Sequence, residues 1–225
     1  METKRLTFTD PCTGTQWGYL LSLPADMDGK GGEPYPLVLF LHGIGEGGNG
    51  TTELDLVAAH SYGKYIAAGK EYPFIFASPQ LTRGKFWVSY IETLNRFLDH
   101  LLETLPVDRD RVYLTGLSCG GTGTWIWGEA NPERFAALLP VCGAGIVWSS
   151  YTLCNTPIWA FHGDADGSIL CTESQNMVNA INARGGNAKL TLYPGVGHNS
   201  WDYAYTDDEV VEWMLSQRRR SFDPV

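Results

Sequence analysis

Short apolar runs alternate with segments of helical periodicity along most of this chain. The runs occupy residues 37–41, 74–77, 112–114, 136–141, 158–161 and 190–193. Most of them carry apolar residues at consecutive positions, which is typical of strands buried on both faces of a parallel sheet. Strands that alternate with helices predict βαβ units, and therefore an α/β protein with a mostly parallel central sheet flanked by helices.

Apolar spacing and capping patterns predict where individual helices and the edge strands lie. One helix is predicted from apolar residues spaced by three and four, which form a single face: Val88, Ile91, Leu94, Leu98, Leu101 and Leu105. Capping boxes at 172–175 and 206–209 predict the starts of two later helices. Residues 5–9 and 17–23 predict a leading antiparallel hairpin at one edge of the sheet.

The length and composition favour one globular unit. The 225 residues are 44% hydrophobic, which is ample for a core. The glycine- and proline-rich stretch 26–36 comes too early to separate two units, so we interpret it as a surface loop. We therefore predict a single domain spanning residues 1–225, with too little chain left over for a large lid.

Charge, hydropathy and cysteine usage exclude several classes of partner. The net charge of −9 disfavours nucleic acid, and no apolar stretch is long enough to predict a membrane span. The N-terminal residues do not read as a signal peptide. Five cysteines without C-x-x-C spacing favour neither a disulfide framework nor a zinc site. We expect a cytoplasmic protein with no metal and no cofactor, and its oligomeric state stays open.

A candidate nucleophile lies in residues 116–120, Gly-Leu-Ser-Cys-Gly. This segment matches G-x-S-x-G, the pattern of a nucleophile elbow. A predicted strand at 111–115 precedes it and a helical stretch at 122–130 follows it, which is the context that the elbow requires. We interpret Ser118 as the nucleophile; the alternative is a glycine-rich turn without chemistry.

A serine nucleophile needs a base and an acid that orients the base. Only His162 and His198 follow Ser118 in the chain. His198 lies in a glycine-rich loop after the last predicted strand, and is the better candidate for the base. Asp166 is favoured over Asp164 as the acid because it lies deeper in its loop. His162 is then expected to anchor the turn that presents this acid.

The oxyanion hole requires two backbone N–H groups. One should come from Cys119, the residue after the nucleophile. The other should come from Ile44, in the loop 41–46 after an early buried strand. His42 and Glu46 in that loop are assigned structural roles.

Tryptophans are the candidate substrate contacts. Trp87, Trp148 and Trp201 fall in predicted loops next to strand ends or motifs, where they could form an aromatic wall for a planar acyl group or a sugar ring. The alternative is that they pack in the core or on the surface.

Five blocks of sequence, taken together, resemble a known superfamily. They occupy residues 39–46, 78–80, 114–125, 158–166 and 193–201. In this order they are similar to the α/β-hydrolase esterases, in particular to the small phospholipase/carboxylesterase and "predicted peptidase" group, which borders dienelactone hydrolases and feruloyl-type esterases. The resemblance implies an α/β-hydrolase fold with a triad of Ser118, Asp166 and His198.

Two positions depart from that group. The residue after the nucleophile is usually methionine in relatives and is Cys119 here. Dienelactone hydrolases use a cysteine nucleophile, whereas this chain has Ser118, which argues against that activity.

The sequence therefore predicts a serine carboxylesterase that forms an acyl-enzyme on Ser118. The expected substrates are small or carbohydrate-linked esters, including feruloyl or acetyl esters of polysaccharides. Two alternatives stay open: a serine peptidase of the prolyl-oligopeptidase type, and a non-catalytic binding module on a hydrolase scaffold.

Overall fold

The structure, a computed structural model, describes residues 1–27 and 33–219. Its centre is an eight-stranded sheet with the order β1-β2-β4-β3-β5-β6-β7-β8. The strands are β1 (Glu2–Thr9), β2 (Gln16–Leu23), β3 (Tyr35–Leu41), β4 (Ile75–Pro79), β5 (Val107–Leu117), β6 (Ala137–Val141), β7 (Ile158–Gly163) and β8 (Ala188–Tyr193). Strands β3 to β8 pair in parallel, and β2 pairs antiparallel with both β1 and β4. This is the predicted α/β-hydrolase fold.

Within the described part of the chain, six α-helices and five 3-10 helices lie between the strands or after β8. The α-helices are α1 (Ser61–Ala67), α2 (Ile91–Thr104), α3 (Cys119–Ala130), α4 (Cys171–Asn182), α5 (Trp201–Ala204) and α6 (Asp208–Ser216). The 3-10 helices are Ile44–Glu46, Leu54–Ala58, Trp87–Tyr90, Pro132–Arg134 and Val147–Leu153. No helix in residues 1–27 and 33–219 is long and apolar enough to cross a membrane.

The continuous apolar runs form strands because both faces of the sheet are covered. All residues of β3, β6 and β7 are buried. Leu37 and Leu39 point into one hydrophobic cluster, and Val38 and Phe40 point into a second one on the opposite face. Alternate side chains of a strand face opposite sides, so each strand contributes to both layers of the core.

The leading hairpin is confirmed, and its turn is tied to α2. The register runs from Glu2 opposite Leu23 to Thr9 opposite Gln16. Asp10, in the turn, is fully buried and accepts hydrogen bonds from both Nε and Nη2 of Arg96 at 2.7 and 2.8 Å. This paired carboxylate fixes the edge of the sheet to the helix layer.

Three predictions about helix boundaries were wrong. Val88 is 41% exposed and lies in the 3-10 helix before α2, and the apolar face that packs against the core begins at Ile91, the first residue of α2. Helix α4 begins one residue before Thr172, and no side chain caps it. The N-cap of α6 is Asp207, which accepts from the N–H of Glu209, rather than Thr206.

The loop predicted at 26–36 ends two residues earlier, because β3 begins at Tyr35. Its residues 28–32 lie outside the described part of the chain. The parallel strands place their carboxyl ends at one edge of the sheet, where ligands of open α/β sheets bind. The loops after β3, β5, β7 and β8 all start from that edge.

Candidate active site

Ser118 lies at a sharp turn between β5 and α3. Its φ of 56° and ψ of −121° define a backbone conformation that residues other than glycine rarely adopt. The turn is possible because the residues two before and two after it are glycines. A Cβ on Gly116 would overlap the carbonyl of Gly120, and a Cβ on Gly120 would overlap the carbonyl of Leu41. The hydroxyl is thereby held at the amino end of α3, above the sheet.

The structure brings Ser118, His198 and Asp166 into one chain of hydrogen bonds. Nε2 of His198 lies 2.8 Å from Oγ of Ser118, and Nδ1 of His198 lies 2.7 Å from Oδ2 of Asp166. The geometry assigns the ring proton to Nδ1, where it donates to the carboxylate, and leaves Nε2 to accept the serine proton. This is the arrangement of a nucleophile, a base and an orienting acid.

Asp166 is held as a carboxylate. Its burial opposes ionisation, but the hydrogen bond from His198 and those from the N–H groups of Ser168 and Ile169, at 2.8 and 3.1 Å, outweigh burial and lower its pKa. The side chain of Asp166 is completely buried. It is therefore charged and shielded from water at neutral pH.

Two polar residues near Asp166, namely Asp164 and His162, hold the loop after β7 in place. Oδ1 of Asp164 accepts from the N–H of Gly195 at 2.7 Å, which ties the acid's loop to the loop that carries His198. His162 is buried; Nδ1 lies 2.8 Å from Oγ of Ser174, and Nε2 lies 2.9 Å from the carbonyl of Ile169 and 3.2 Å from Oδ2 of Asp166. His162 thus anchors the turn beside the acid.

Both predicted oxyanion donors are the first residues of helices. Cys119 begins α3, and Ile44 begins the 3-10 helix after β3. The first N–H groups of a helix have no partner within that helix and carry partial positive charge. Ile44, Ser118 and Cys119 line the same cavity. The site can therefore offer two N–H groups to an oxygen that becomes negative.

Trp87 does not form a cleft wall, which corrects the prediction. Its side chain is completely buried, and Nε1 donates to the carbonyl of His42 at 2.9 Å. The thiol of Cys119 contacts the same carbonyl at 3.6 Å, and Nε2 of His42 accepts from the N–H of Leu81 at 2.9 Å. These contacts fix the loop of Ile44 against the elbow, so Trp87 lies beneath the site as a packing and hydrogen-bonding residue.

The other two predicted tryptophans, Trp201 and Trp148, do not form an aromatic wall either. The ring of Trp201 is half-buried and meets the His198 ring edge-on, with 5.4 Å between centroids; the ring of His60 packs on Trp201 at the same distance. Trp201 therefore supports the histidine. Trp148 is 74% exposed in the 3-10 helix after β6 and does not line the cavity at Ser118.

The cavity at Ser118 has a volume of about 310 Å³ and, among the described residues, no charged lining. It is lined by Ile44, Phe86, Val88, Ser118, Cys119, Thr122 and Ile169. Ile44, Phe86 and Val88 are 54%, 49% and 41% exposed, so they form an open apolar rim. The sequence reasoning missed four of these residues; Ile169 could have been found from its position three residues after the acid.

Cys142 is a further residue that the sequence did not single out. Its thiol is fully buried behind the nucleophile, and Sγ accepts from the N–H of Ser118 at 3.3 Å. Burial raises the pKa of this thiol to about 12. Its sulfur and the ligand atoms of Asp166 and His198 lie within 4.8 Å of one another. His198 and Asp166 already use these atoms in the hydrogen bonds to each other and to Ser118.

Known proteins share both the sequence pattern and the fold. The dienelactone hydrolase family profile matches residues 79–209, more than half of the chain. A protein of Escherichia coli (strain K12) named "Putative carboxymethylenebutenolidase" is 29% identical over 103 residues, which cover 40% of this chain and 37% of that protein.

Solved structures extend the likeness to nearly the whole chain. A thermostable esterase superposes with a TM-score of 0.83 and 30% identity, over 96% of this chain and 63% of that one. The feruloyl esterase module from Clostridium thermocellum, complexed with sinapinate, superposes with a TM-score of 0.73 and 14% identity, over 100% of this chain and 91% of that one. At that identity the module supports the fold alone, whereas the family match rests on sequence: the chain belongs to the dienelactone hydrolase family.

Proposed function

We propose that this protein is a serine esterase that hydrolyses neutral carboxylic esters through an acyl-enzyme on Ser118. The observation that carries the proposal is the hydrogen-bonded chain Ser118–His198–Asp166, with distances of 2.8 and 2.7 Å, at a strained strand-to-helix turn. A serine hydroxyl is a weak nucleophile until an adjacent base accepts its proton.

In the first half of the reaction, Oγ of Ser118 attacks the ester carbonyl carbon while Nε2 of His198 takes the hydroxyl proton. The oxygen of the tetrahedral intermediate becomes negative and accepts hydrogen bonds from the N–H groups of Ile44 and Cys119. The carbon–oxygen bond to the alcohol then breaks, and the protonated His198 gives its proton to the leaving oxygen. Asp166 stabilises the imidazolium throughout.

In the second half, water replaces the alcohol. His198 takes a proton from this water as its oxygen attacks the acyl carbon, and the same two N–H groups stabilise the second intermediate. The bond to Oγ then breaks, and Ser118 recovers its proton from His198. The products are one carboxylic acid and one alcohol, and the protein returns to its starting state.

The cavity supports a neutral, apolar acyl group. None of its seven lining residues is charged, so an anionic acyl group would lose hydration without gaining an ion pair. A volume of about 310 Å³ lies at the small end of ligand pockets, which suits a short aliphatic chain or one aromatic ring. A feruloyl or acetyl group meets both conditions, in line with the feruloyl esterase among the structural neighbours.

The test combines a covalent probe with a substrate series. A fluorophosphonate should label Ser118, as located by peptide mass spectrometry, and Ser118→Ala should lose the label and about a million-fold in turnover. p-Nitrophenyl acetate, butyrate and ferulate should be cleaved, the hemisuccinate ester much more slowly, and a peptide p-nitroanilide least. Labelling at another residue, or faster cleavage of the anilide than of every ester, would contradict the proposal.

A further inference from the structure

A second cavity, of about 440 Å³, lies on the α1 side of the sheet edge. Side chains from β1, β2 and β4 form one wall, and the 3-10 helix Leu54–Ala58 together with α1 forms the other. It shares no lining residue with the cavity at Ser118, and its volume falls within the range of small-molecule sites. It is therefore a separate space.

One hydroxyl group in this cavity has no hydrogen-bond partner among the residues that the structure describes. Ser78 in β4 is 1% exposed, and its Oγ makes no hydrogen bond within residues 1–27 and 33–219. The neighbouring hydroxyls of Thr3 and Ser22, by contrast, bond to each other at 2.8 Å. Buried polar groups are nearly always paired in folded proteins, so Ser78 offers a donor and an acceptor to a molecule that enters the cavity.

The rest of the lining indicates what kind of molecule fits. Leu20, Phe76, Ala58 and Ala59 supply apolar surface, and the alanines leave room because their side chains are short. Such walls favour a ring or an aliphatic chain, since apolar surface gains free energy when it leaves water.

The charges at the rim are already compensated. Arg5 forms an ion pair with Asp55 and also donates from Nη2 to the carbonyl of Thr51 at 2.6 Å. An anionic or cationic ligand would have to compete with these contacts, whereas a neutral ligand leaves them intact.

We propose that this cavity is a binding site for a small neutral molecule that has an apolar ring or chain and one hydroxyl group, with that hydroxyl bonded to Oγ of Ser78. The proposal does not depend on ester hydrolysis, because none of the residues that carry it belongs to the catalytic arrangement.

Three ligands that share a phenyl ring separate the contributions of the hydroxyl group and of charge to the binding affinity. Benzyl alcohol, toluene and benzoate are titrated into the isotope-labelled protein and followed by two-dimensional amide NMR. Benzyl alcohol should shift the signals of residues at the cavity, such as Leu20, Gly63 and Ser78. It should bind more tightly than toluene, and benzoate should bind most weakly.

Variants locate the site. Ser78→Ala should raise the Kd of benzyl alcohol about 2- to 10-fold, the usual net contribution of one hydrogen bond, and leave that of toluene unchanged. Ala67→Trp should fill the cavity from its exposed rim and abolish binding of both ligands. Ala68→Trp is the matched control, since Ala68 is also exposed but does not line the cavity; it should bind like the unchanged protein.

Several outcomes would overturn the proposal. Shifts confined to the Ser118 cavity, or no shifts up to the solubility limit of benzyl alcohol, would remove the site. Equal affinity for benzyl alcohol and toluene would remove the role of Ser78. The comparison of the three ligands on the unchanged protein decides both points even if a variant fails to fold.

Discussion

The backbone N–H of Ser118 points towards the sulfur of Cys142, with 3.3 Å between nitrogen and sulfur, while it also donates to the carbonyl of Val141 at 3.0 Å. The proposed nucleophile thus has a thiol behind it and, in Cys119, a thiol beside it. Neither sulfur is needed for the proposed chemistry, because Cys119 contributes its N–H and Cys142 contributes packing and a weak acceptor.

We predict that thiol alkylation leaves the esterase active. Burial raises the pKa of Cys119 to about 11 and that of Cys142 to about 12, so at pH 8 roughly one Cys119 in a thousand is the reactive thiolate. Iodoacetamide at pH 8 should modify the exposed Cys12, which serves as the internal control, while most activity is retained. Loss of activity in step with alkylation of Cys119, followed by mass spectrometry, would contradict the burial described here.

Substitution of the two aspartates in the loop after β7 should have very different effects on activity. Asp166→Asn should lower kcat about ten-thousand-fold, because an amide cannot hold His198 in the tautomer that accepts the serine proton. Asp164→Asn should retain most of the activity, since its carboxylate accepts from a backbone N–H of the neighbouring loop rather than from the ring of His198. Steady-state kinetics of the two variants side by side gives the comparison, and the reverse ranking would move the acid to Asp164.

Trp87→Phe tests whether the buried indole positions the oxyanion loop. The change removes the donor to the carbonyl of His42 and should lower kcat about 10-fold or more, because small misplacements of catalytic groups are costly. Trp127→Phe is the matched control: Trp127 is also fully buried, and its Nε1 donates to Asn95 at 2.8 Å, in a different part of the core.

Both tryptophan variants should lose about 1 kcal/mol of unfolding free energy for the lost hydrogen bond. Only Trp87→Phe should lower kcat. Equal effects of the two changes on kcat would mean that Trp87 acts through general stability.

The carboxyl group of Glu129 should make the stability depend on pH. Its burial in α3 raises the pKa to about 7 from 4.5, against the hydrogen bonds that it accepts from Ser149 and from the N–H of Ile146. A raised pKa in the folded state means that the contribution of Glu129 to stability is greatest below about pH 4.5 and is lost as the pH rises through about 7. The full effect is on the order of 3 kcal/mol.

Urea unfolding of the unchanged protein and of Glu129→Gln, at pH 5 and at pH 8, measures this effect. The amide keeps the size and the acceptor oxygen but cannot ionise. The unchanged protein should therefore lose stability relative to the variant on going to pH 8. A constant difference between the two proteins would show that Glu129 is not buried as described.

Ser118→Gly should give a more stable protein than Ser118→Ala. Glycine adopts positive φ at little cost, whereas alanine keeps the strain of this turn. We expect the two inactive variants to differ by about 1 kcal/mol in unfolding free energy. Equal stabilities would mean that the turn relaxes when the serine hydroxyl is removed.

The sequence allowed the sheet and the positions of the candidate triad to be anticipated for separate physical reasons. Continuous apolar runs reveal strands that are buried on both faces, and G-x-S-x-G reveals a turn that only small flanking residues permit. The candidates Ser118, Asp166 and His198 follow from the order of the loops along the chain.

What the sequence could not show was how side chains pack between elements that are distant in the chain. From its position in the sequence, Trp87 is expected in a loop near a strand end. Its ring instead packs in the core, where the indole N–H donates to the buried carbonyl of His42 in another loop. Cys142 carries no local pattern, and its contact with Ser118 arises only when β6 lies beside β5.

The strained backbone of Ser118 has a consequence for attempts to improve this protein. The backbone conformation at position 118 suits glycine better than the serine that the proposed chemistry requires, so stability and the proposed activity favour different residues there. A laboratory selection for heat resistance alone would therefore reward the loss of the proposed nucleophile, and every round of it needs to be scored for turnover as well.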